Sequence, residues 1–407
     1  MKRNFEKKAL PAVTLLVYAV YFLAMCWLHH QQLCVTDGFA SDLPQHLEEA
    51  LRGEVYTAAY LLIPPAYALA GKWGMAVLLA IFQIAALAVF AWGLRAAAPR
   101  LPAPVRLLLS LVVNLAQAAW IPRGGYWYIG TINGTIYHNT TYIMLAPFAL
   151  LAMLCFYRAW QGMHTGLDVR TWLVYTVLLT LSTAFKANFV FAFAPALLLL
   201  LIADLIRTRG KNLKREILIG CSVLPSIALC LLESVVLFSG ESGGGGLELI
   251  FSVDPAYFEN GVISWGLFSE SARRGMIRSL VFVGAVAVLL GRAAWGHFRY
   301  RFSLLTFAVA MAEALLIVEG GERIGHGNLW WGPFICYWVF LFESFCAFLR
   351  AGTAWKSGQR QALLGGRLLL CGAMLVWQII SGICFLVLLM QGNSYNIPIA
   401  TWQFWPF

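Results

Sequence analysis

Long apolar stretches recur along this chain, and most of them approach the length that a helix needs to cross a bilayer. A transmembrane helix takes about 20 apolar residues, because it rises only about 1.5 Å per residue through a core of about 30 Å. Hydrophobic residues make up 60% of the chain, which excludes a water-soluble core. We predict an all-α, polytopic membrane protein with a single domain, 1–407, and about eleven spans. The predicted spans are 9–28, 73–94, 105–121, 141–158, 171–184, 187–206, 216–238, 276–292, 303–318, 329–349 and 368–391.

Basic residues concentrate in alternate loops between these spans, and six such segments hold 21 of the 29 Lys and Arg residues. The segments are 1–8, 95–106, 158–170, 207–215, 292–301 and 350–367. Because cytoplasmic loops carry an excess of Lys and Arg, we expect these segments and the amino terminus in the cytoplasm. The net charge of +10 then reflects topology and contact with anionic membrane lipids, so no nucleic-acid partner is expected.

Carboxylates are scarce in this chain, yet five of them fall in the first predicted extracytoplasmic loop, residues 29–72. They are Asp37, Asp42, Glu48, Glu49 and Glu54. Within this loop, Ser41 and Pro44 predict a short helix that Ser41 caps and that tolerates Pro44 in its first turn. Asp42 then lies at the amino end, where the helix dipole favours its ionised form. An ionised carboxylate suits a proton acceptor or a metal ligand.

The short helix is predicted to be amphipathic and to lie on the outer membrane surface. Its apolar face would comprise Leu43, Leu47, Ala50 and Leu51, and its polar face would comprise Asp42, His46 and Glu49. The segment VYTAAYLLIPPAYALAGKWG follows, and we expect a partly immersed helix that is broken at Pro64 and Pro65 and stays on the outer side. The alternative for this region is a kinked helix pair of structural value only.

The order of SDLPQHLEEAL, RGEVYTAAYLL and IPPAYALAGKWG after the first span resembles the GT-C superfamily of integral-membrane glycosyltransferases. This resemblance covers mainly residues 1–95. It implies Asp42 as the catalytic base and Asp37 as a second catalytic carboxylate, with a polyprenyl-phosphate-linked sugar as donor and a lipid or glycan as acceptor. Many relatives carry an acidic pair at this position, whereas Leu43 follows Asp42 here. No cofactor is therefore assigned, and a divalent cation, Mg²⁺ or Mn²⁺, held by Asp37 and Asp42 stays an open alternative.

A departing phosphate needs fixed positive charge, and few cations fall in the predicted outer segments. The candidates for phosphate pairing are Arg123, Lys186, Arg273, Arg274, Arg278 and Arg323. Lys186 separates two apolar helices, and a cation in that position is a functional candidate. Snorkelling to the membrane surface is the alternative for every one of them, and it is the interpretation that we prefer for Arg273, Arg274 and Arg278.

Further candidates for substrate or phosphate binding lie in outer loops, among glycines and aromatic residues that suit sugar recognition. The first loop adds His46, the loop within 120–142 adds Arg123 and His138, and the segment from Glu319 to Pro333 adds Glu322, Arg323, His326 and Asn328. For His138 the alternative is a solvated loop histidine. The Gly-rich extracytoplasmic loop 239–275 is either a mobile cover over a site or a plain linker.

Together with these patterns, the resemblance to the GT-C superfamily implies a transferase that moves a sugar from a polyprenyl-phosphate-linked donor to a lipid or cell-envelope glycan acceptor. We expect it in a bacterial plasma membrane, with its site on the extracytoplasmic face. A secondary transporter or flippase of lipid-linked sugars is the alternative, supported by Glu233, Glu313 and Glu343, which should point into the bundle because a charge facing lipid is costly. A catalytically silent membrane scaffold is the third possibility.

Overall fold

The computed structural model describes residues 2–35, 38–121, 131–238, 247–248, 270–319, 327–356 and 362–395. Its helices are α1 (Lys2–Cys34), α2 (Leu43–Leu51), α3 (Ala59–Ala70), α4 (Lys72–Ala97), α5 (Ala103–Asn114), α6 (Thr140–Met163), α7 (Val169–Phe185), α8 (Asn188–Thr208), α9 (Leu213–Cys221), α10 (Leu224–Phe238), α11 (Glu270–Ser279), α12 (Val281–Leu289), α13 (Arg292–Trp295), α14 (Phe298–Leu316), α15 (Trp331–Lys356) and α16 (Ala362–Met390). A 3₁₀ helix covers Asn328–Trp330. Strands β1 (Leu247–Glu248) and β2 (Val318–Glu319) pair antiparallel.

Seven segments of the described chain are long and apolar enough to cross a membrane. They are Ala9–Cys34, Lys72–Ala97, Thr140–Met163, Asn188–Thr208, Leu213–Val235, Asn328–Lys356 and Leu363–Met390. The prediction of a polytopic helical membrane protein is confirmed at this level. The other predicted spans coincide with α5, α7, α12 and α14, so the total of eleven stays a prediction.

The two ends of the described chain lie at opposite ends of the helical bundle. The amide of Phe39, just beyond α1, donates to the carbonyl of Gly392, just beyond α16, at 2.9 Å. Because α1 has 33 residues, it extends about 50 Å away from this contact to Lys2. The carboxyl ends of α1 and α16 therefore lie at the same end of the bundle. We call the two ends the Gly392 end and the Lys2 end.

Helices α3 and α4 form a hairpin, and the predicted break at Pro64 and Pro65 is wrong. Helix α3 continues through both prolines, which remove two backbone hydrogen bonds, while Tyr60 and Ile63 bury one side of the helix in the core. The turn falls at Gly71, whose φ of 59° suits glycine. With 12 residues, α3 is about 18 Å long and too short to cross a bilayer, in line with its prediction as an outer segment.

The span predicted at 105–121 is helical only as far as Asn114, and residues 115–121 continue as irregular backbone with buried alanines. Buried backbone of this kind needs hydrogen-bond partners inside the protein. Gln117 N donates to Gln378 O at 3.1 Å, and Gln378 Nε2 donates back to Gln117 O at 3.0 Å. Gly382 brings α16 against this segment, since a Cβ atom there would lie 1.6 Å from Leu115 O.

The span predicted at 276–292 is divided into α11 and α12 by Leu280. Arg278, beside this break, is only 2% exposed, and its Nε donates to Ala119 O at 2.7 Å. Its interpretation as a snorkelling surface arginine is therefore wrong, because a carbonyl of the irregular segment 115–121 binds the guanidinium inside the bundle. Arg274 is exposed, and the side chain of Arg273 lies outside the described residues.

Helices α6 and α15 form the centre of the bundle, and both are largely enclosed by other helices. Aromatic rings fix their neighbours: Phe156 of α6 lies 5.2 Å from Phe193 of α8 and 4.7 Å from Phe302 of α14, measured between ring centroids. Dense packing of this kind leaves little freedom for a helix to shift. The first turns of α6 and α15 consequently hold the polar loops at the Gly392 end in fixed positions.

Candidate functional site

Asp42 lies at the start of α2, at the Gly392 end of the bundle. Helix α2 begins at Leu43 with Pro44 in its first turn, as predicted, but its N-cap residue is Asp42 rather than Ser41. Ser41 Oγ reaches only Leu43 N, at 3.4 Å. A capping side chain normally needs extended backbone angles, whereas Asp42 is helical, with φ −81° and ψ −4°. The Asp42 carboxylate caps no amide of α2 and instead contacts another element.

Both faces of α2 contact protein. Leu43, Leu47 and Ala50 are buried as predicted, whereas Leu51 is 47% exposed. The polar face is also enclosed, since the side chains of His46 and Glu49 are only 15% and 11% exposed. The amphipathic pattern thus predicted which residues share a face of α2. In the structure the polar face is also packed against protein. Whether α2 lies on a membrane surface stays a prediction.

Asn139 joins Asp42 to the start of α6. As the N-cap residue of that helix, it accepts hydrogen bonds through Oδ1 from Tyr142 N at 3.0 Å and from Thr141 Oγ1 at 2.9 Å. Its Nδ2 donates to Asp42 Oδ2 at 2.8 Å. Asp42 N also donates to His138 O at 2.9 Å. The loop before α6 therefore fixes both the backbone and the carboxylate of Asp42.

His46 lies between Asn139 and a buried carboxylate, Glu49. Its Nδ1 lies 2.7 Å from the hydroxyl of Tyr60, which donates to Glu49 Oε2, so Nδ1 carries the proton and Nε2 has a free electron pair. The Nε2 atom lies 3.5 Å from Asn139 Nδ2. Burial and the positive charge of Lys186 lower the pKa of His46 to about 4, against the opposing effect of Asp42 and Glu49. His46 is therefore neutral near pH 7.

Glu49 is the carboxylate that closes this network, and sequence reasoning did not select it as a site residue. Besides Tyr60, it accepts hydrogen bonds from the hydroxyl of Tyr56 at 2.5 Å and from Gln45 Nε2 at 2.8 Å. Burial alone would raise the pKa of Glu49, but the bonds from these donors outweigh it and lower the pKa. Glu49 thus stays ionised and holds the phenols that orient His46.

Lys186 lies between α7 and α8 and contacts the first turn of α6. Its Nζ donates to Thr141 Oγ1 at 3.1 Å, and the ammonium lies 4.8 Å from the centroid of the Trp331 ring. Since Thr141 donates in turn to Asn139, three successive hydrogen bonds link the ammonium of Lys186 to the carboxylate of Asp42. The structure therefore brings the predicted base and one predicted phosphate ligand into one network.

Aromatic rings surround this network on the side of α15 and the chain end. The rings of His138 and Tyr395 are stacked, with centroids 3.8 Å apart and planes inclined by 4°, and the Trp331 ring lies 5.9 Å from His138. Burial lowers the pKa of His138 to about 4, although Asp42 acts in the opposite direction. His138 is therefore a buried neutral ring and not a solvated loop histidine.

Of the remaining predicted site residues, one lies near Trp331 and the others lie outside the described residues. Asn328 precedes Trp331 by three residues, and its carbonyl accepts from Asn188 Nδ2 at 2.8 Å. The others lie outside the described residues: Asp37, Arg123, Glu322, Arg323 and His326. Most of the loop 239–275 lies outside them as well, so its interpretation as cover or linker stays open.

No group of three His, Cys, Asp or Glu side chains in the described ranges is arranged to hold a metal ion. The carboxylate of Asp42 accepts from Asn139 Nδ2, and the backbone of Asp42 donates to His138 O and accepts from His46 N. A search of known protein families and a search of curated proteins both found no match to this chain.

Sequence reasoning missed several residues that the network depends on. Asn139 and Thr141 were not among the predicted site residues, although an Asn before an apolar run is a helix-capping signal. That signal would have placed Asn139 at the start of α6. Nothing in the local sequence of Tyr60 or Tyr395 pointed to the site, because their contacts come from distant elements.

Proposed function

We propose that this protein is a GT-C-like glycosyltransferase, which transfers a sugar from a polyprenyl-phosphate-linked donor to a lipid or glycan acceptor outside the cytoplasm. The observation that carries the proposal is the hydrogen-bonded connection between Asp42 and Lys186 at one end of a helical bundle. An anion and a cation that are both tied to one helix start suit a reaction that removes a proton and releases a phosphate.

In the proposed reaction, Asp42 accepts the proton of the acceptor hydroxyl as its oxygen forms a bond to the anomeric carbon of the sugar. The bond between that carbon and the phosphate oxygen breaks, and its electron pair leaves with the polyprenyl phosphate. Lys186 faces the negative charge that develops on this phosphate. His46 and Asn139 act as positioning residues for Asp42, and no step requires a metal.

The aromatic rings near the network support sugar binding. Trp331 and Tyr395 carry apolar faces of the kind that pack against sugar rings, and Tyr395 lies close enough to Asp42 for the carboxylate to raise the pKa of its phenol. Burial is the larger cause of that rise. Both rings come from elements far along the chain from Asp42, so the site is assembled only in the folded protein.

The direct test compares Asp42→Asn with Glu48→Gln, a control on the same helix whose side chain is 72% exposed. Each purified variant is supplied in lipid nanodiscs with polyprenyl phosphates carrying a labelled hexose or pentose, and released polyprenyl phosphate is measured. We expect turnover to fall at least about 100-fold in Asp42→Asn and to persist in Glu48→Gln. Unchanged turnover in a folded Asp42→Asn protein would remove the mechanism.

Orientation is tested separately. Cys34 is exposed near the Gly392 end, whereas the other eight cysteines are buried or partly buried. If the site lies outside the cytoplasm, an impermeant maleimide should label Cys34 in intact cells, and Cys34→Ser should abolish that labelling. Labelling that appears only after the cells are opened would place the site in the cytoplasm and contradict the proposal.

A transporter or flippase is the second candidate, and one observation favours it. The irregular segment 115–121 and the break between α11 and α12 meet at the buried Arg278, and broken helices around a buried charge are common in transporters. Reconstituted vesicles distinguish the two: translocation of a lipid-linked sugar that persists in Asp42→Asn but stops in Arg278→Gln would favour transport.

A further inference from the structure

Asp42 and His46 present two hydrogen-bond acceptors to one buried amide. Asn139 Nδ2 lies 2.8 Å from Asp42 Oδ2 and 3.5 Å from His46 Nε2. Asn139 is 4% exposed, whereas Asp42 and the side chain of His46 are partly exposed. Because both atoms approach the same nitrogen, they lie no more than 6.3 Å apart, which is the sum of the two distances. One small ligand can therefore contact both of them.

Contacts at both ends of the His46 ring fix its Nε2 as an acceptor. Nδ1 carries the proton, because it contacts the hydroxyl of Tyr60, which donates to the ionised Glu49. At the other end, Nε2 faces Nδ2 of Asn139, which can only donate. The orientation of that amide follows from its Oδ1, which accepts from the backbone amide of Tyr142. A proton on Nε2 would place two donors opposite each other.

The hydrogen bonds of this network run from donors at Lys186 toward acceptors at Asp42 and His46. Lys186 donates to Thr141, which donates to Asn139, and Asn139 donates to Asp42. A carboxylate has about four lone-pair positions, of which Asn139 uses one. The contact of His46 Nε2 with Asn139 is long, so a ligand hydroxyl at about 2.8 Å can replace it. A ligand that binds this pair has to supply donors.

The surrounding charges favour a neutral ligand with two donors. A phosphate would bring negative charge to the carboxylate of Asp42. An ammonium group would add to the positive charge of Lys186, which already acts on His46. A ligand with a single hydroxyl would bond to only one of the two acceptors. Two hydroxyls on neighbouring carbon atoms supply one donor to each acceptor and add no charge.

We propose that Asp42 and His46 bind a vicinal diol of a sugar, so that the acceptor substrate is a glycan rather than a lipid alcohol or a phosphate. One hydroxyl gives its proton to Asp42 as its oxygen forms the bond to the anomeric carbon, and the neighbouring hydroxyl keeps its proton and donates a hydrogen bond to His46 Nε2. This assignment of the diol to the acceptor substrate rests on the proposed function. His46 then selects the substrate in addition to positioning Asp42.

Imidazole nitrogen resonances test the diol site without any sugar transfer. The full-length protein in lipid nanodiscs carries ¹⁵N at its seven histidines, and His46→Gln assigns the Nε2 resonance in NMR spectra. The probes are methyl glucoside, methyl mannoside and methyl galactoside, and cyclohexanol is the control with one hydroxyl. Tyr60→Phe removes the group that fixes the tautomer, and Glu49→Gln acts through Tyr60 if that variant does not fold. Tyr56→Phe is the matched control, because the described hydrogen bonds of its hydroxyl reach only Tyr60 and Glu49.

We expect an unprotonated Nε2 in the wild type and a shift of its resonance with at least one methyl pyranoside but not with cyclohexanol. Tyr60→Phe should protonate Nε2 in a large share of the molecules and weaken pyranoside binding about fivefold, as expected for the loss of one hydrogen bond, whereas Tyr56→Phe should match the wild type. A protonated wild-type Nε2, an equal response to cyclohexanol, or no response to any pyranoside would each overturn the proposal. A pyranoside response in a protein that releases no polyprenyl phosphate would support the diol site and contradict the proposed function.

Discussion

Asn139 uses one side-chain amide to cap α6 and to hold the carboxylate of Asp42, with Nδ2 2.8 Å from Asp42 Oδ2. The position of the proposed base is thereby tied to a central helix of the bundle. Asp42 itself is the N-cap residue of a nine-residue helix that would be marginal in isolation. The packing of α6 consequently determines the orientation of a carboxylate that is 97 residues away in sequence.

Substitutions of Asn139 should separate its two roles. Asn139→Asp keeps an oxygen that can cap α6 but replaces the donor to Asp42 with a second carboxylate, so we expect turnover to fall at least tenfold with a small change in Tm. Asn139→Ala should also lose the cap, which is worth about 1 kcal/mol. The control is Asp168→Ala, which removes the cap of α7 at the Lys2 end and should leave turnover intact. Equal turnover in Asn139→Asp and the wild type would contradict this role.

Replacing Lys186 should weaken the proposed release of phosphate. Lys186→Met keeps much of the apolar contact with Trp331 but removes the charge, and we expect kcat/KM to fall about 100-fold. Lys186→Arg should recover part of the loss because it restores a cation. Lys72→Met serves as control, since Lys72 is exposed on the same end of the bundle. Steady-state kinetics with a polyprenyl-phosphate sugar measure each effect, and wild-type kinetics in Lys186→Met would exclude a role in phosphate binding.

The buried histidines should make stability fall in a defined acidic range. His46 and His138 have pKa values of about 4 when folded, below the ordinary value of 6.5. The unfolded chain therefore binds more protons as pH decreases from about 6.5 to about 4, and each histidine should cost roughly 3 kcal/mol of stability over this range. Above pH 7 neither contributes a pH dependence. Glu49, whose pKa is lowered, loses its stabilising effect only at more acidic pH.

Tryptophan fluorescence during heating measures Tm at each pH. His46→Gln should flatten the decrease of Tm between about pH 6.5 and pH 4, whereas His164→Gln should leave it unchanged because His164 is 44% exposed at the Lys2 end. A Tm that stays constant across this range in the wild type would show that His46 and His138 are not buried as neutral rings.

A close helix contact predicts the effect of adding one methyl group to α16. Gly382→Ala would place Cβ 1.6 Å from Leu115 O, so α16 would have to move away from the segment 115–121. We expect a loss of more than about 3 kcal/mol or a failure to fold, because overpacking a dense contact shifts the backbone. Gly366→Ala on the same helix meets no atom within 4 Å and should be neutral or slightly stabilising. Similar folded yields of the two variants, measured by gel filtration, would contradict this packing.

Local patterns of the sequence determined the helical membrane class, the helix at Leu43–Leu51, and the choice of Asp42 and Lys186 as candidates. These features depend on apolar length, helix periodicity and the rarity of charge, which are all visible along the chain. Contacts between distant elements decided the rest. Residues 115–121 look apolar enough to be helical, but Gln378 and Arg278 hold them as irregular backbone.

The candidate site shows the same division. The sequence alone identified an acidic loop, a lysine between helices and a histidine in another loop as candidates. It gave no distance between any two of them. Tertiary structure placed Asn139 and Thr141 between the carboxylate and the ammonium, and it brought Tyr395 onto His138 from the other end of the chain. The physical reason is that hydrogen bonds and ring contacts act over a few ångströms in space, whereas sequence patterns report only neighbours along the chain.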